Sequence, residues 1–144
     1  MQGILANISL SHQFILLCPP RTGSRTLFFY FVKNFGMVCW NGKSSNIKNH
    51  CHDYRLNDFV KDYLVIASIR NPYAKVASIF KDKRTNPRYT EHAQNFPNDI
   101  ITKRSCTHLE YFRKDLERID QVIRLEHINE DVSDLPFIPE PVIL

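Results

Sequence analysis

The clearest pattern along the chain is a short, uninterrupted apolar run that is followed by a turn and then by a largely apolar segment. Phe14–Cys18 is such a run, and it ends at a pair of prolines. Short apolar runs bounded by turn residues are typical of buried strands. The next segment, Ser24–Phe35, is apolar nearly all round, and Gly36 stands where a helix C-cap is expected. The pattern predicts a buried strand that leads through a tight turn into a buried helix.

The same pattern returns later in the chain. Leu64–Ile69 is a second short apolar run, and Asn71 and Pro72 follow it as an N-cap and a first helical residue. Four residues then recur at helical spacing and are predicted to form the buried face of this helix: Tyr73, Val76, Ala77 and Phe80. Ser78 is predicted to lie away from that face, on the same side as Asn71.

The remainder of the chain carries weaker signals. Residues 85–97 are polar and contain two prolines, so they are predicted to form a loop. A helix is predicted from Asp99 to Arg118, with four residues on its buried face: Leu109, Phe112, Leu116 and Ile119. Gln121–Leu125 is predicted as a third strand. Pro136–Leu144 is predicted as an irregular tail whose apolar side chains are exposed and able to dock on a partner.

The alternation of strands and helices predicts the architecture. We expect a single α/β domain over residues 1–144, with a parallel sheet between two helical layers in a three-layer α/β/α arrangement. In folds of this class, ligands bind beyond the carboxyl ends of the strands. The turns at Pro19–Ser24 and Arg70–Pro72 are therefore where we expect the chemistry.

Composition narrows the class of protein without identifying its function. The 144 residues are 43% apolar, which excludes a disordered chain, and no apolar run approaches the roughly 20 residues of a membrane-spanning helix. No basic stretch precedes the first apolar residues, so we predict a soluble, cytoplasmic protein. The net charge of +4 suits an anionic ligand as well as it suits nucleic acid.

The cysteines indicate reduced thiols rather than a metal site. Four cysteines are widely spaced along the chain, with no C-x-x-C pair among them: Cys18, Cys39, Cys51 and Cys106. We expect partly buried thiols in a reducing compartment. The alternative is a zinc site made of Cys39, His50, Cys51 and His52, but this spacing fits none of the usual structural patterns, so no metal is predicted.

The first turn has the composition of an anion-binding loop. Gly23 permits a close backbone approach, and the N–H groups of the following helix point outward at the positive end of its dipole. Ser24 and Thr26 add hydroxyl donors, and Arg21 and Arg25 add positive charge. This is not a Walker A loop, because it has one glycine and no lysine. We predict a phosphate or sulfate site here, the alternative being an ordinary helix start with solvated arginines.

The second turn is predicted to bind a second anionic group. Arg70 stands at the end of its strand, and Ser78 lies about two turns into the following helix. Arginine supplies a bidentate fork and serine a single hydroxyl donor, so the two together can hold one phosphate. Helix capping alone would account for Asn71 and Pro72 but for neither Arg70 nor Ser78.

Together the two turns resemble the donor-binding motifs of sulfotransferases. The segment PRTGSRTL at Pro20–Leu27 is similar to their 5′-phosphosulfate loop, P-[KR]-[ST]-G-[ST]-[TR]-x-L. Arg70–Pro72 with Ser78 is similar to their 3′-phosphate motif, R-[ND]-P-x(5)-S. Val122–Glu126, followed by Asn129–Asp131, also resembles the late strand and acidic turn of this superfamily. The resemblance implies a P-loop-like sulfotransferase fold.

The resemblance covers about residues 14–135 and implies a donor as well as a fold. Sulfotransferases move a sulfuryl group from 3′-phosphoadenosine 5′-phosphosulfate (PAPS) to a hydroxyl or amine and release the 3′,5′-bisphosphate, PAP. By position, six loop residues are expected to bind the 5′-phosphate: Arg21, Thr22, Gly23, Ser24, Arg25 and Thr26. Arg70 and Ser78 are expected to bind the 3′-phosphate. Arg21 stands where many members have lysine; it can neutralise charge on the leaving oxygen but is a poor proton donor.

A base for the acceptor hydroxyl is expected upstream of the second motif. Ile47–His50 resembles the family's L-K-T-H segment, which precedes the R-[ND]-P motif by about twenty residues. The resemblance implies His50 as the base and Lys48 near the transferred group. His52 and a carboxylate are alternative bases, and solvated histidines are common in polar segments of this kind.

The chain is shorter than typical sulfotransferases, which use C-terminal segments to cover the adenine and build the acceptor pocket. Three alternatives follow from the short chain. The protein is a minimal enzyme with an open acceptor site, an enzyme whose acceptor site a second subunit completes, or a degenerate nucleotide-binding relic. The expected partners are a small-molecule or glycan acceptor and a possible second copy, without nucleic acid. Two other functions stay open: a kinase or NTPase that binds ATP at the first loop, and a nucleic-acid-binding module with steeply salt-dependent binding.

Overall fold

The computed structural model describes residues 1–85 and 108–144. Six strands form one sheet: β1 (Ala6–Ser9), β2 (Phe14–Leu17), β3 (Val38–Trp40), β4 (Ser45–Asn46), β5 (Leu64–Ile69) and β6 (Gln121–Arg124). The described residues also form four α-helices: α1 (Ser24–Phe35), α2 (Pro72–Thr85), α3 (His108–Phe112) and α4 (Ile128–Ser133). Short 3-10 turns lie at Asp58–Val60, Leu116–Arg118 and Leu125–His127. Every helix in the described ranges is too short or too polar to serve as a membrane span.

The sheet is mixed, and its parallel half consists of the predicted strands. Its order is β4-β3-β1-β2-β5-β6; β2, β5 and β6 run parallel, whereas β1 pairs antiparallel with β2 and β3, and β3 with β4. The mixed α/β fold is confirmed, but the expectation of a wholly parallel sheet is wrong. The missed strands are two to four residues long, and β1 contains the buried polar residues Asn7 and Ser9, so none forms a long apolar run.

Side chains of the central strands alternate between two apolar cores, one on each face of the sheet. In β2, Phe14 and Leu16 belong to the core under α1, whereas Ile15 and Leu17 belong to the opposite core. Three residues of α1 are fully buried in the first core: Leu27, Phe28 and Phe31. The opposite core includes Phe112 of α3. The expectation that the sheet is covered on both faces is confirmed.

Both predicted helix caps are present. Gly36 ends α1 in the left-handed conformation, with φ of 60° and its N–H bonded to the carbonyl oxygen of Phe31, as expected of a C-cap glycine. Asn71 caps α2, because its Oδ1 accepts the N–H groups of Tyr73 at 3.0 Å and of Ala74 at 3.3 Å. The sequence predicts both caps correctly because a helix cap depends only on neighbouring residues.

The buried face of α2 differs from the prediction. Tyr73 is 85% exposed and Ala77 is also exposed, whereas Lys75 and Ile79 are buried. Phe80, another residue of the predicted face, lies outside the described side chains. The apolar periodicity of this segment therefore does not mark the side of the helix that faces the protein.

The helix α2 also makes a polar contact. The guanidinium of Arg21, in the first turn, donates from Nη2 to the carbonyl oxygen of Ser78 at 2.9 Å. Ser78 is half-buried beside this contact. The first turn, a polar segment distant in the sequence, is therefore one of the surfaces that α2 contacts.

The segment between α2 and β6 can be compared with the prediction only in part. The predicted loop beyond Thr85 and residues 99–107 of the predicted helix lie outside the described residues, as does the side chain of Leu109. The described part of the predicted helix consists of α3 and a separate 3-10 turn. The predicted third strand is confirmed as β6.

The buried residues predicted for this helix are partly wrong. Phe112 is buried and Ile119 is half-buried, but Leu116 is 43% exposed. The helix ends at Phe112, whose carbonyl oxygen accepts the N–H of Asp115 at 2.7 Å. The chain turns at this point, so residues beyond it no longer follow the helical phase on which the prediction depended.

The irregular C-terminal tail packs on its own chain. Phe137, Ile138 and Val142 pack against the core under α1. The ring of Phe137 stacks on that of Phe14, with a centroid distance of 4.4 Å and an interplanar angle of 17°. The expectation that the tail is exposed is wrong for these three residues, because the aromatic side chains of α1 and β2 offer them an apolar surface. Ile143 and Leu144 are exposed as predicted.

Phe137→Ala is predicted to lower the free energy of unfolding by about 3 kcal/mol, because it removes a ring that stacks on buried Phe14. Ile143→Ala is the matched control in the same tail: Ile143 is 91% exposed, so a change of less than about 0.5 kcal/mol is expected. Chemical denaturation of both variants measures the difference. Equal effects would show that the tail does not contribute to the core.

Candidate functional site

The two predicted turns lie side by side at one edge of the sheet. β2 and β5 pair in parallel with Leu17 opposite Ala67, so the chain leaves both strands at neighbouring points. The buried hydroxyl of Thr22 donates to the carbonyl oxygen of Pro19 at 2.7 Å and accepts the hydroxyl of Ser68 at 2.6 Å. These bonds fix the first turn against the end of β5.

The first turn presents the N-terminus of α1 without a side-chain cap. The N-cap residue is Gly23, which has no side chain to cap the helix, and the first helical turn contains no acidic residue. The backbone is left-handed at Arg21, with φ of 67°, and at Gly23, with φ of 79°. The first regular helical bond is made by the N–H of Leu27 to Gly23 O at 3.0 Å, so the amides of residues 24–26 precede it. Amides in this position, at the positive end of the helix dipole, favour an anion.

Gly23 is favoured by its backbone conformation, because a φ of 79° is one that other residues rarely adopt. A side chain here would also require Leu125 to shift. A Cβ atom at this position would lie 2.6 Å from Cδ1 of Leu125 and 3.7 Å from Cδ1 of Ile128. The sequence suggested glycine for the close approach of a ligand. The close neighbour in the structure is the side chain of Leu125, which follows β6 and packs next to the first turn.

A cavity of about 680 Å³ opens between the two turns. Its lining residues come from both turns, from the segment after β4 and from the end of β6: Arg21, Gly23, Ser24, Arg25, Thr26, His50, His52, Arg70, Ser78 and Leu125. All of them except Leu125 were singled out in the sequence. Three are arginines and none of these described lining residues is acidic, so the cavity attracts anions.

Two arginine side chains link the turns by hydrogen bonds to backbone carbonyl oxygens. The Arg21 bond to Ser78 O joins the first turn to α2, and Nη1 of Arg70 donates to the carbonyl oxygen of Arg21 at 3.3 Å. Arg70 and Ser78 therefore share a cavity with the first turn and do not form a separate second site. A guanidinium has five N–H donors, so this single bond leaves Arg70 with donors for an anion.

Two side chains for which the sequence predicted no role at the second turn hold its backbone. Nε2 of His108 lies 3.2 Å from the amide nitrogen and 2.8 Å from the carbonyl oxygen of Arg70. Oε1 of Glu126 accepts the N–H of Asn71 at 2.8 Å, and this bond lowers the pKa of the Glu126 carboxyl. No pattern marked His108 because its partner lies 38 residues earlier in the chain.

A buried asparagine fixes the segment that carries both histidines. Asn7, on β1, is 2% exposed. Its Oδ1 accepts the N–H of Cys51 at 2.8 Å, and its Nδ2 donates to the carbonyl oxygens of Cys51 at 2.8 Å and of Leu16 at 3.3 Å. Cys51 stands between His50 and His52, so this clamp sets the position of both rings at the cavity. The only signal in the sequence was a single amide within an otherwise apolar stretch.

The two histidine rings are in contact at the cavity. Their Nε2 atoms lie 3.2 Å apart, and Nδ1 of His52 lies 3.0 Å from the carbonyl oxygen of Cys18. Burial, with the neighbouring His52 and Arg25, lowers the pKa of His50 to about 4. The His50 imidazole is therefore neutral near pH 7 and has a lone pair with which to accept a proton.

Two predicted site residues do not line the cavity. The Thr22 side chain is fully buried, and its hydroxyl is engaged by Pro19 and Ser68, so that hydroxyl is not available to the phosphate for which it was predicted. Lys48 is exposed and absent from the lining, although it was expected near the transferred group. Its N–H donates to Oδ1 of Asn46 at 2.7 Å, in a tight turn directly after β4.

The described cysteines are buried or half-buried free thiols: Cys18, Cys39 and Cys51. Cys106 lies outside the described residues. Burial raises the pKa of the Cys18 thiol to about 12 and raises that of Cys51 as well, which keeps both thiols protonated and unreactive. Within residues 1–85 and 108–144, no group of three or more His, Cys, Asp or Glu side chains is arranged to hold a metal ion.

Only the residues of the site itself indicate its chemistry. The chain matches no protein-family model, no curated protein and no solved structure. The cavity contains three arginines, a neutral histidine, and a helix N-terminus that no side chain caps among the described residues.

Asn7→Ala is predicted to lower the free energy of unfolding by about 2 kcal/mol, because it leaves the amide and carbonyl of Cys51 without their buried partner. Hydrogen exchange at the Cys51 amide should accelerate. The matched control is Asn34→Ala, which removes an exposed bond to Tyr30 O and should change stability by less than about 0.5 kcal/mol. Unchanged exchange at Cys51 would contradict the clamp.

Proposed function

We propose that this protein is a sulfotransferase that uses PAPS as its donor and transfers the sulfuryl group to an acceptor hydroxyl of a small molecule or glycan. The observation that carries the proposal is that both sequence motifs line one positively charged cavity. The first motif alone is compatible with an ordinary helix start, and helix capping accounts for part of the second. Their meeting at a cavity that also contains a neutral histidine matches what transfer between a nucleotide donor and a hydroxyl requires.

The cavity suits a nucleotide with anionic groups at two positions. Its volume of about 680 Å³ lies within the roughly 300–1,000 Å³ of small-molecule sites. Ser24 and Thr26, with the amides at the start of α1, would bind the 5′-phosphosulfate. Arg70 and Ser78 would bind the 3′-phosphate through a guanidinium and a hydroxyl.

The residues around the donor provide charge stabilisation and a base. PAPS, when bound, supplies the activated sulfuryl group: the acceptor oxygen bonds to sulfur as the bond from sulfur to the 5′-phosphate oxygen breaks. Arg21 and Arg25 stabilise the negative charge that develops on that leaving oxygen. His50 removes the hydroxyl proton of the acceptor. Arginine keeps its own proton, so Arg21 acts by its charge and PAP leaves as an anion.

His50 is better suited than His52 to act as the base. Both ring nitrogens of His52 contact groups of the protein, Cys18 O on one side and His50 on the other. Among the described residues, His50 has one polar contact, which is made by its Nε2. Its Nδ1 is therefore left for a substrate. No carboxylate among the described residues lines the cavity to take this role instead.

The lining also distinguishes this proposal from a kinase or NTPase. Those enzymes hold Mg²⁺ beside the phosphates with carboxylate ligands. None of the described lining residues is acidic, and positive charge comes from arginines instead. Sulfuryl transfer from PAPS suits such a lining because the arginines balance the charge of the donor.

PAP is predicted to bind at least about 30-fold more tightly than 5′-AMP or ATP, because only PAP offers a 3′-phosphate to Arg70 and Ser78 in charge-assisted hydrogen bonds. Arg70→Ala should remove this preference and leave the affinity for 5′-AMP within about threefold. Calorimetric titration of each nucleotide into the parent protein and the variant measures both effects.

The matched control is Arg55→Ala, which removes the same charge from an exposed residue outside the cavity lining and should leave PAP binding unchanged. Equal binding of all three nucleotides, or none, would contradict the proposal. Binding of polynucleotides with a steep salt dependence and no preference for PAP would favour the nucleic-acid-binding alternative instead.

A further inference from the structure

The contact between His50 and His52 determines where the protons of both rings lie. Nδ1 of His52 is 3.0 Å from the carbonyl oxygen of Cys18, and a carbonyl oxygen can only accept a hydrogen bond. Nδ1 of His52 must therefore carry the proton. In the neutral ring, Nε2 of His52 is then left with a lone pair.

The proton on His50 follows from the same reasoning. Its Nε2 lies 3.2 Å from Nε2 of His52, which accepts, so Nε2 of His50 is the donor and carries hydrogen. In neutral His50 the lone pair is then on Nδ1. This nitrogen has no hydrogen-bond partner among the described residues, and the His50 side chain lines the cavity.

The Cys18 carbonyl group and His52, at one end of this chain of hydrogen bonds, are rigidly held. The Cys18 carbonyl directly follows β2, in the centre of the sheet, and Cys18 itself is fully buried. The clamp by Asn7 fixes Cys51 between the two histidines, and the hydroxyl of Tyr111 donates to the carbonyl oxygen of His52. His52 therefore has little freedom to turn its ring away from Cys18.

We propose that His52 is a positioning residue that holds His50 in the Nε2–H tautomer, so that Nδ1 of His50 is the atom that accepts the proton of the acceptor hydroxyl. The catalytic part of this inference rests on the proposed function, whereas the tautomers do not. As the acceptor O–H bond breaks, an N–H bond forms at Nδ1. The Nε2–H of the resulting imidazolium stays hydrogen-bonded to the lone pair of His52.

The charges around the pair disfavour a second positive ring, so only one of the two histidines is an imidazolium at a time. Arg25 faces His50, and Arg21 and Arg70 line the same cavity. Two imidazolium rings with nitrogens 3.2 Å apart would repel each other and the arginines. A hydrogen bond to neutral His52 therefore stabilises the positive charge on His50 during transfer without adding a second charge to the cavity.

The experiment is long-range ¹H–¹⁵N NMR correlation of the histidine rings, which distinguishes the two neutral tautomers, on the full-length protein without nucleotide near pH 7. We expect His52 in the Nδ1–H form and His50 in the Nε2–H form. An Nε2–H form of His52, or rapid averaging of the tautomers of His50, would overturn the proposal. This measurement does not involve PAPS, so its outcome is independent of whether the sulfotransferase proposal holds.

Two variants test the role of His52 in the same spectra. In His52→Ala, His50 should lose its fixed tautomer and show a mixture of both forms. In His52→Gln, the side-chain carbonyl oxygen replaces the Nε2 acceptor, so the Nε2–H form of His50 should be retained. A fixed Nε2–H form in His52→Ala would contradict a positioning role, and the spectrum of the parent protein decides the tautomers even where a variant fails to fold.

Discussion

The parallel pairing of β2 with β5 is the constraint on which the rest of the site depends. Leu17 lies opposite Ala67, so the two strand-to-helix turns begin next to each other at one sheet edge. The hydrogen bond between Thr22 and Ser68 then fixes the first turn against the end of β5. Because both turns are basic, this single register creates the positive cavity between them. A slip of one residue would turn the side chains of β2 to the opposite core and separate the turns.

Three side chains outside the cavity lining hold the backbone of the segments that form the site. Other side chains of those segments line the cavity. Asn7 clamps Cys51, His108 contacts the amide and carbonyl of Arg70, and Glu126 binds the amide of Asn71. Each anchor is distant in sequence from the residue that it holds. These anchors help a small domain to preorganise a cavity. Arg21 and Arg70 have both roles, because they line the cavity and also link the two turns.

The sequence predicted the local features well and the long-range ones poorly. The parallel strands, α1 and the caps at Gly36 and Asn71 follow from nearby residues, and so do the two turns. The predicted buried face of α2 is wrong: Tyr73 is exposed and Lys75 and Ile79 are buried. The contact of Arg21 with this helix at Ser78 is one that no periodicity encodes. The Thr22 hydroxyl was predicted to bind the ligand because the sequence does not show whether a threonine side chain is buried or exposed. The anchoring roles of Asn7 and His108 depend entirely on tertiary structure.

A crystal structure with PAP bound is the most direct test of a donor site between the two turns. The 5′-phosphate is expected within hydrogen-bond distance of the amides at the start of α1, and the 3′-phosphate within hydrogen-bond distance of Arg70 and Ser78. His50 should lie on the side of the 5′-phosphate, with Nδ1 facing the space where an acceptor hydroxyl would enter. PAP bound elsewhere, or bound here with its 3′-phosphate away from Arg70, would contradict a sulfuryl-donor site in this protein.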